Sequence, residues 1–254
     1  MKKITPVLIT ALFICTGCFD VMHYVEFRKD KSIYVDYRLT IGVGAKDAGA
    51  EIKQADDSRI FSGFGAGIKK YNPEIRRIEN DRETGIELIC TAPEKALMLP
   101  AEDSEYPLIP YKDAKGQYIF ISQPKSAAAD SNQDANKMIQ SMFASSRYRI
   151  ITGGTFTVKK AVIITNDQET ATRFEPSIYK LGPLSFVDMP LISVMFKESA
   201  VIISESDTID EKEIRAYFAK RNKEREEAAK KETENKESPP VDDENKSSNT
   251  AGER

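Results

Sequence analysis

Two hydrophobic periods organise the chain. In residues 21–27, Val21, His23, Val25 and Phe27 fall on one face of an alternating run. Arg28-Lys29-Asp30-Lys31-Ser32 then interrupts it as a polar turn. Beyond the turn, Ile33, Val35, Tyr37, Leu39, Ile41 and Val43 alternate with Tyr34, Asp36, Arg38 and Thr40. Period two over both runs predicts a half-buried antiparallel hairpin. Charge on its outer face guards against edge pairing. A helical period follows. Asp56-Asp57-Ser58 can cap a start, Ile60, Phe61, Phe64 and Ile68 recur at helical spacing, and Pro73 closes the run. Residues 74–91 read as a second hairpin, turning through Asp81-Arg82-Glu83-Thr84-Gly85.

The second half repeats the alternation of types. Pro93 to Pro110 is loop with a short helix near 95–99, and 118–122 is a strand. Residues 134–145 place Met138, Ile139, Met142 and Phe143 on one helical face. Strands over 147–152 and 155–165 flank Gly153-Gly154, which predicts a tight hairpin because glycine accepts positive φ. Between 170 and 206 the clearest strands are 191–197 and 200–204, punctuated by Gly182-Pro183 and Met189-Pro190. At Asp207 the composition changes. Thr208 and Glu211 match a T-x-x-E capping box. Ile209, Ile214, Tyr217 and Phe218 can dock the first turns. Past Lys220 the run is Lys, Arg, Glu and Ala, with opposite charges four apart at Lys220–Glu224 and Glu226–Lys230. That is a solvated helix, and from Ser238 onward a Pro, Ser, Asn, Asp and Glu-rich tail reads as disordered.

Composition removes whole classes of chemistry. The 254 residues carry 37 Lys+Arg, 40 Asp+Glu and one histidine, a formal net charge of −3. That balance leaves no electrostatic footprint for nucleic acid and no polybasic patch for anionic lipid. The single histidine, His23, would have to serve any Ser-His-Asp or Cys-His site, and its place on a strand face favours a structural role. With no second histidine, and with Cys90 the one cysteine outside the N-terminal Cys15/Cys18 pair, a His/Cys zinc site is excluded. Cys90, within Ile86-Glu87-Leu88-Ile89-Cys90, reads as a small buried hydrophobe.

Other motifs fail on spacing. Asp130-Ser131-Asn132-Gln133-Asp134 opens like a calcium loop, but Ala135 and Ser141 stand where the glycine and the bidentate glutamate belong. Gly63-Phe64-Gly65-Ala66-Gly67-Ile68-Lys69 lacks the phosphate-loop spacing and suits close backbone packing. Glu102-Asp103 and Asp56-Asp57 are acid pairs that would serve a hydrolase only across a cleft.

The N-terminus carries the most specific pattern. Lys2 and Lys3 precede an apolar run over 4–14, then Cys15-Thr16-Gly17-Cys18. The run is shorter than the ~20 apolar residues a spanning helix needs. It resembles a bacterial lipoprotein leader, with Gly17 before the cut and Cys15 where an aliphatic residue is usual. Relaxed boxes of this kind are common in spirochaetes. The resemblance implies that Cys18 is lipidated with diacylglycerol and that 1–17 is removed as a signal peptide. Two or three chains, at ~0.8 kcal/mol per buried methylene, make escape slow. Phe19 follows the cysteine and Asp20 comes one place later. The enterobacterial inner-membrane retention signal, an aspartate directly after the cysteine, is therefore absent, which favours the outer membrane. Once Cys15 leaves and Cys18 is a thioether, only Cys90 remains, so no intramolecular disulfide is possible. The order of anchor, hairpin, helix, Gly-turn hairpin (74–91) and late Gly-Gly hairpin over 18–165 is similar to lipoproteins with an LppM-type domain. That likeness implies an envelope α+β body and supplies no catalytic residues.

The expected fold is α+β: a mainly antiparallel twisted sheet with two helices packed on one face, a C-terminal charged helix and a disordered tail. The expected segments are a signal peptide (1–17), a body (18–206), a charged helix (207–237) and a tail (238–254). The expected role is a non-enzymatic, lipid-anchored envelope module for structure or protein interaction. It would have no cofactor, no metal and no catalytic residue, and its partners would be the membrane and an envelope protein. One alternative is a binder of a small or lipid-like ligand lined by Ile60, Phe61, Phe64, Met138 and Met142. A carboxylate-based hydrolase is a further alternative.

Overall fold

The structure, a computed structural model, describes residues 19–42, 64, 66–93, 108–123, 143, 145–166, 172–195 and 198–237. The chain divides into two compact units, Met1–Glu213 and Ile214–Arg254. Within the first unit the described residues are mostly strand. In chain order the strands are β1 (Phe19–Phe27), β2 (Ser32–Gly42), β3 (Glu74–Glu79), β4 (Glu83–Pro93), β5 (Tyr111–Lys112) and β6 (Tyr118–Ser122). Then come β7 (Arg147–Gly154), β8 (Lys160–Thr165), β9 (Thr172–Phe174), β10 (Ser177–Leu181), β11 (Leu184–Pro190) and β12 (Ser199–Ser204). They form a seven-stranded sheet, β10-β11-β7-β1-β2-β4-β3, and a five-stranded sheet, β5-β6-β12-β8-β9.

The two alternating runs form the expected hairpins. β1 pairs antiparallel with β2 from Phe19↔Ile41 to Phe27↔Ile33. β3 pairs antiparallel with β4 from Glu74↔Ile89 to Glu79↔Thr84. Val21, His23, Val25 and Phe27 are all buried, as the period demands. The alternation slips at Leu39 and Thr40, where Thr40 is buried and Leu39 only half so. Gly85 lies opposite Thr40, and a Cβ there would sit 2.1 Å from the Leu39 carbonyl oxygen. Glycine permits that close approach.

The single sheet covered by helices is overturned. Two sheets share one core, and strands rather than helices cover the inner face of the larger sheet. Val25, Val35, Leu88 and Ile150 from the larger sheet join Phe120, Ile163 and Val201 from the smaller one in a single cluster. Ring contacts cross the seam: Phe27 lies 4.1 Å from Tyr118 and 4.8 Å from Phe156 between centroids. The smaller sheet escaped periodicity because β6 and β12 are buried at every position and β8 at all but Lys160. A strand buried on both faces has no polar alternation to betray it. The 60–68 helix falls largely outside the described residues; within them a short 3₁₀ helix spans Ala66–Tyr71. The 134–145 helix falls outside them too, apart from Phe143 and Ser145.

Two local expectations change for one reason: the chain must cross between sheets. Gly153-Gly154 does not turn a hairpin. β7 pairs parallel with β1, ending at Phe27↔Gly154, and the chain then leaves for β8 in the other sheet. Gly154 has φ +79°, and a Cβ on it would meet the Phe27 carbonyl oxygen at 2.1 Å. Thr155 secures the exit, donating to that oxygen from its backbone N at 2.7 Å and its Oγ1 at 3.0 Å. The strand expected over 191–197 is instead a helical turn, α1 (Ile192–Met195). It lies between β11 in the larger sheet and β12 in the smaller one.

A separate change lies at the entry to α2 (Lys212–Glu237). The Thr208/Glu211 capping box does not form. Asp210 caps instead, its Oδ1 accepting the Lys212 N–H at 3.0 Å. Glu211 is drawn away to Arg173 at 2.8 Å. Gln117 clamps the cap residue from the β5–β6 turn: its Nε2 donates to the Asp210 carbonyl at 2.9 Å, and its Oε1 accepts the Asp210 N–H at 2.8 Å.

The second unit holds the rest of α2, which is about 39 Å long over its 26 residues. Its ion pairs, Lys220–Glu224 at 3.7 Å and Lys223–Glu227 at 3.9 Å, are exposed and contribute a few tenths of a kcal/mol each. Among the described residues no helix is long and apolar enough to cross a membrane.

Candidate functional site

Cys18, the expected lipidation residue, lies outside the described residues, and β1 begins at the next position. The residues expected to line a ligand site at 60–61, 138 and 142 also lie outside them, as do the acid pairs 56–57 and 102–103 and the run 130–134. Phe64 is described, and its ring packs edge-on against Tyr37 at 5.1 Å. Phe143 stacks on Phe19 at 4.3 Å, the first residue of β1.

Two features flank the length of β1, the fourth of seven strands in its sheet. Near its start is a charged network. Arg149 on β7 binds Asp20 at 3.0 Å and approaches Asp188 on β11 at 3.6 Å. Arg147 binds the same Asp188 at 2.9 Å. These pairs tie three adjacent strands together near the start of β1.

His23 sits further along β1, fully buried. Its Nε2 lies 2.8 Å from the Leu108 carbonyl oxygen, and its Nδ1 lies 2.7 Å from the Tyr148 hydroxyl. A carbonyl only accepts, so the neutral ring carries its proton on Nε2, and Tyr148 donates to Nδ1. Phe120 and Tyr37 press their edges on the ring at 5.1 and 5.3 Å. Burial lowers the imidazole to about 4, the Leu108 bond opposing only in part. Burial, then Tyr37, holds the Tyr148 phenol well above its ordinary value. The ring is a hydrogen-bonded core member with both nitrogens engaged. Cys90 is buried too, and burial pushes its thiol up to about 12. Among the described residues no three His, Cys, Asp or Glu side chains gather to hold a metal.

At the far end of β1 lies a cavity of about 810 Å³. Five cations line it: Arg28, Lys29 and Lys31 from the β1–β2 turn, and Lys112 and Lys115 from the β5–β6 hairpin. Ser32, Thr155, Ser204 and Ser206 add hydroxyls, and Phe27, Tyr118 and Phe156 give it an aromatic floor. Glu205 is the one carboxylate among the described residues of the lining, and it accepts the Thr157 N–H at 2.9 Å. Sequence reasoning passed over this group, because 28–32 read only as a polar turn. Lys112 and Lys115 join it through the packing of one sheet on the other, which no local pattern encodes.

The chain matches no protein-family model, no curated protein and no solved structure.

Proposed function

We propose that the chain is a lipid-anchored envelope lipoprotein whose body is a non-enzymatic binding or interaction module. The observation that carries this reading is the start of β1 at Phe19, one residue beyond the lipobox-like Cys18. An acyl group on that sulfur would be joined to the central strand of the larger sheet with almost no linker. The Asp20–Arg149–Asp188–Arg147 network would brace the strands at that end. The body would then stand on the membrane as a rigid block and not as a tethered bead. The engaged His23 imidazole and the unreactive Cys90 thiol support a role in binding over one in catalysis. The likeness to LppM-type lipoproteins belongs to the same proposal.

Metabolic labelling with an alkyne analogue of palmitate tests the anchor. Wild type should label and Cys18→Ala should not, and protease added to intact cells then reports which side the body faces. An unlabelled wild-type protein that keeps residues 1–17 overturns the reading. A second reading, ligand binding, is favoured by the cavity at the other end of β1.

A further inference from the structure

We propose that this cavity binds a small phosphorylated molecule from solution, with Lys29, Lys31 and Lys115 as its anion contacts. The assignment deepens the ligand-binding reading and holds whether or not Cys18 carries lipid; only the distance from a membrane rests on the anchor.

The charge argument comes first. The whole chain is net acidic, at −3, yet among the described residues five cations meet one carboxylate around this cavity. Several of these charges are already engaged. Arg28 pairs with Glu26 at 3.3 Å and lies over the Tyr34 ring, and Lys112 lies over Tyr118 at 5.3 Å. Lys29, Lys31 and Lys115 have no carboxylate partner among the described residues. Neighbouring acids are turned to other work. Asp30 accepts from Ser32 through both N–H and Oγ. Asp113 accepts from the backbone of Lys115 and Gln117 and from the Gln117 side chain. Three lysines on two separate turns thus line a shared space with no carboxylate in ion-pair contact among the described residues.

Shape and composition narrow the ligand. A volume of about 810 Å³ falls within the ~300–1,000 Å³ range of small-molecule sites. Cations on both sides suit an anion with more than one charged oxygen, which can bridge them. Of the wall hydroxyls, Ser32 and Thr155 already donate to Asp30 and to the Phe27 carbonyl, which leaves Ser204 and Ser206 for the same oxygens or for a sugar. The aromatic floor is closed, its three rings packed on one another and almost wholly buried. Together these features suit a small polar phosphate better than a bare fatty chain.

Position argues for a soluble source. β1 runs from Phe19 to Phe27, so its two ends are about 26 Å apart at ~3.3 Å per residue. A membrane holding residue 18 would lie at the opposite end of the strand from Phe27. The cavity would open to water beyond the reach of that membrane's headgroups.

The test uses the full-length chain in non-ionic detergent, titrated calorimetrically with inorganic pyrophosphate at low salt. Saturable one-to-one binding is expected, weakening as salt rises. The K29Q/K31Q/K115Q variant should bind at least tenfold more weakly. Lys29 and Lys31 are exposed turn residues, so the variant's urea midpoint should match wild type. If the triple variant is less stable, the three single variants should each weaken binding at an unchanged midpoint. Absence of saturable binding, or equal affinity in the variants, overturns the proposal. Phosphatidylglycerol vesicles that displace pyrophosphate, where phosphatidylcholine vesicles do not, would assign the phosphate to a lipid headgroup and overturn the soluble source. Loss of palmitate labelling with pyrophosphate binding intact would sink the anchor alone.

Discussion

Lowering the pH from 7 to 4 probes the core through one group, His23. In the folded protein burial holds its imidazole at about 4, against an ordinary value of 6.5. Above pH 6.5 the ring is neutral in both states, and its full contribution to stability is present. Between 6.5 and 4 the unfolded chain binds a proton that the folded chain refuses. Stability therefore falls with falling pH, by about 1.4 kcal/mol per unit. Over the whole window the loss is roughly 3 kcal/mol, a large part of the ~5–15 kcal/mol that holds a typical domain together. Below pH 4 both states are protonated and this contribution stays lost. Protonation would also reverse the Tyr148 bond, since Nδ1 would become a donor and the phenol would need another acceptor. Carboxylates titrate in the same range, so the clean measurement is a difference. Urea unfolding of wild type and of His23→Gln at pH 7, 6, 5 and 4 should give a stability gap that narrows by roughly 3 kcal/mol. The chain has one histidine, so NMR titration of its lone C2–H signal reads the same quantity even if the variant does not fold. A gap independent of pH, or an imidazole titrating near 6.5 in the folded protein, would refute the reasoning.

Gly154→Ala should destabilise by roughly 2–4 kcal/mol, since its Cβ meets the Phe27 carbonyl at 2.1 Å at positive φ. Gly116→Ala should cost only about 1 kcal/mol, because the same φ there opens onto empty space; thermal melts of the two variants separate sterics from backbone conformation. With accessible thiols blocked beforehand, Cys90 should react with a disulfide reagent only as fast as the protein opens, since burial pushes its thiol up to about 12. Native-state reactivity like that of a free thiol would contradict its placement. Asp210→Ala should cost about 1 kcal/mol and fray the start of α2, seen as lost amide protection over its first turn.

Where one face of a strand meets water, sequence pattern was enough. The β1–β2 and β3–β4 hairpins, the inward row containing His23 and the buried Cys90 all follow from period-two alternation or from an apolar run. Tertiary structure alone decided the rest. The apolar runs of β6, β8 and β12 read as strands, but with both faces buried they carry no alternation to say which sheet they join, and only packing reveals that they form a second one. Gly153-Gly154 and 191–197 carry strong local signals for hairpin and strand. Global geometry overrode both, because the chain had to leave one sheet for the other there. The basic cavity has the same origin: its lysines lie in two turns some eighty residues apart, and no local rule places one beside the other.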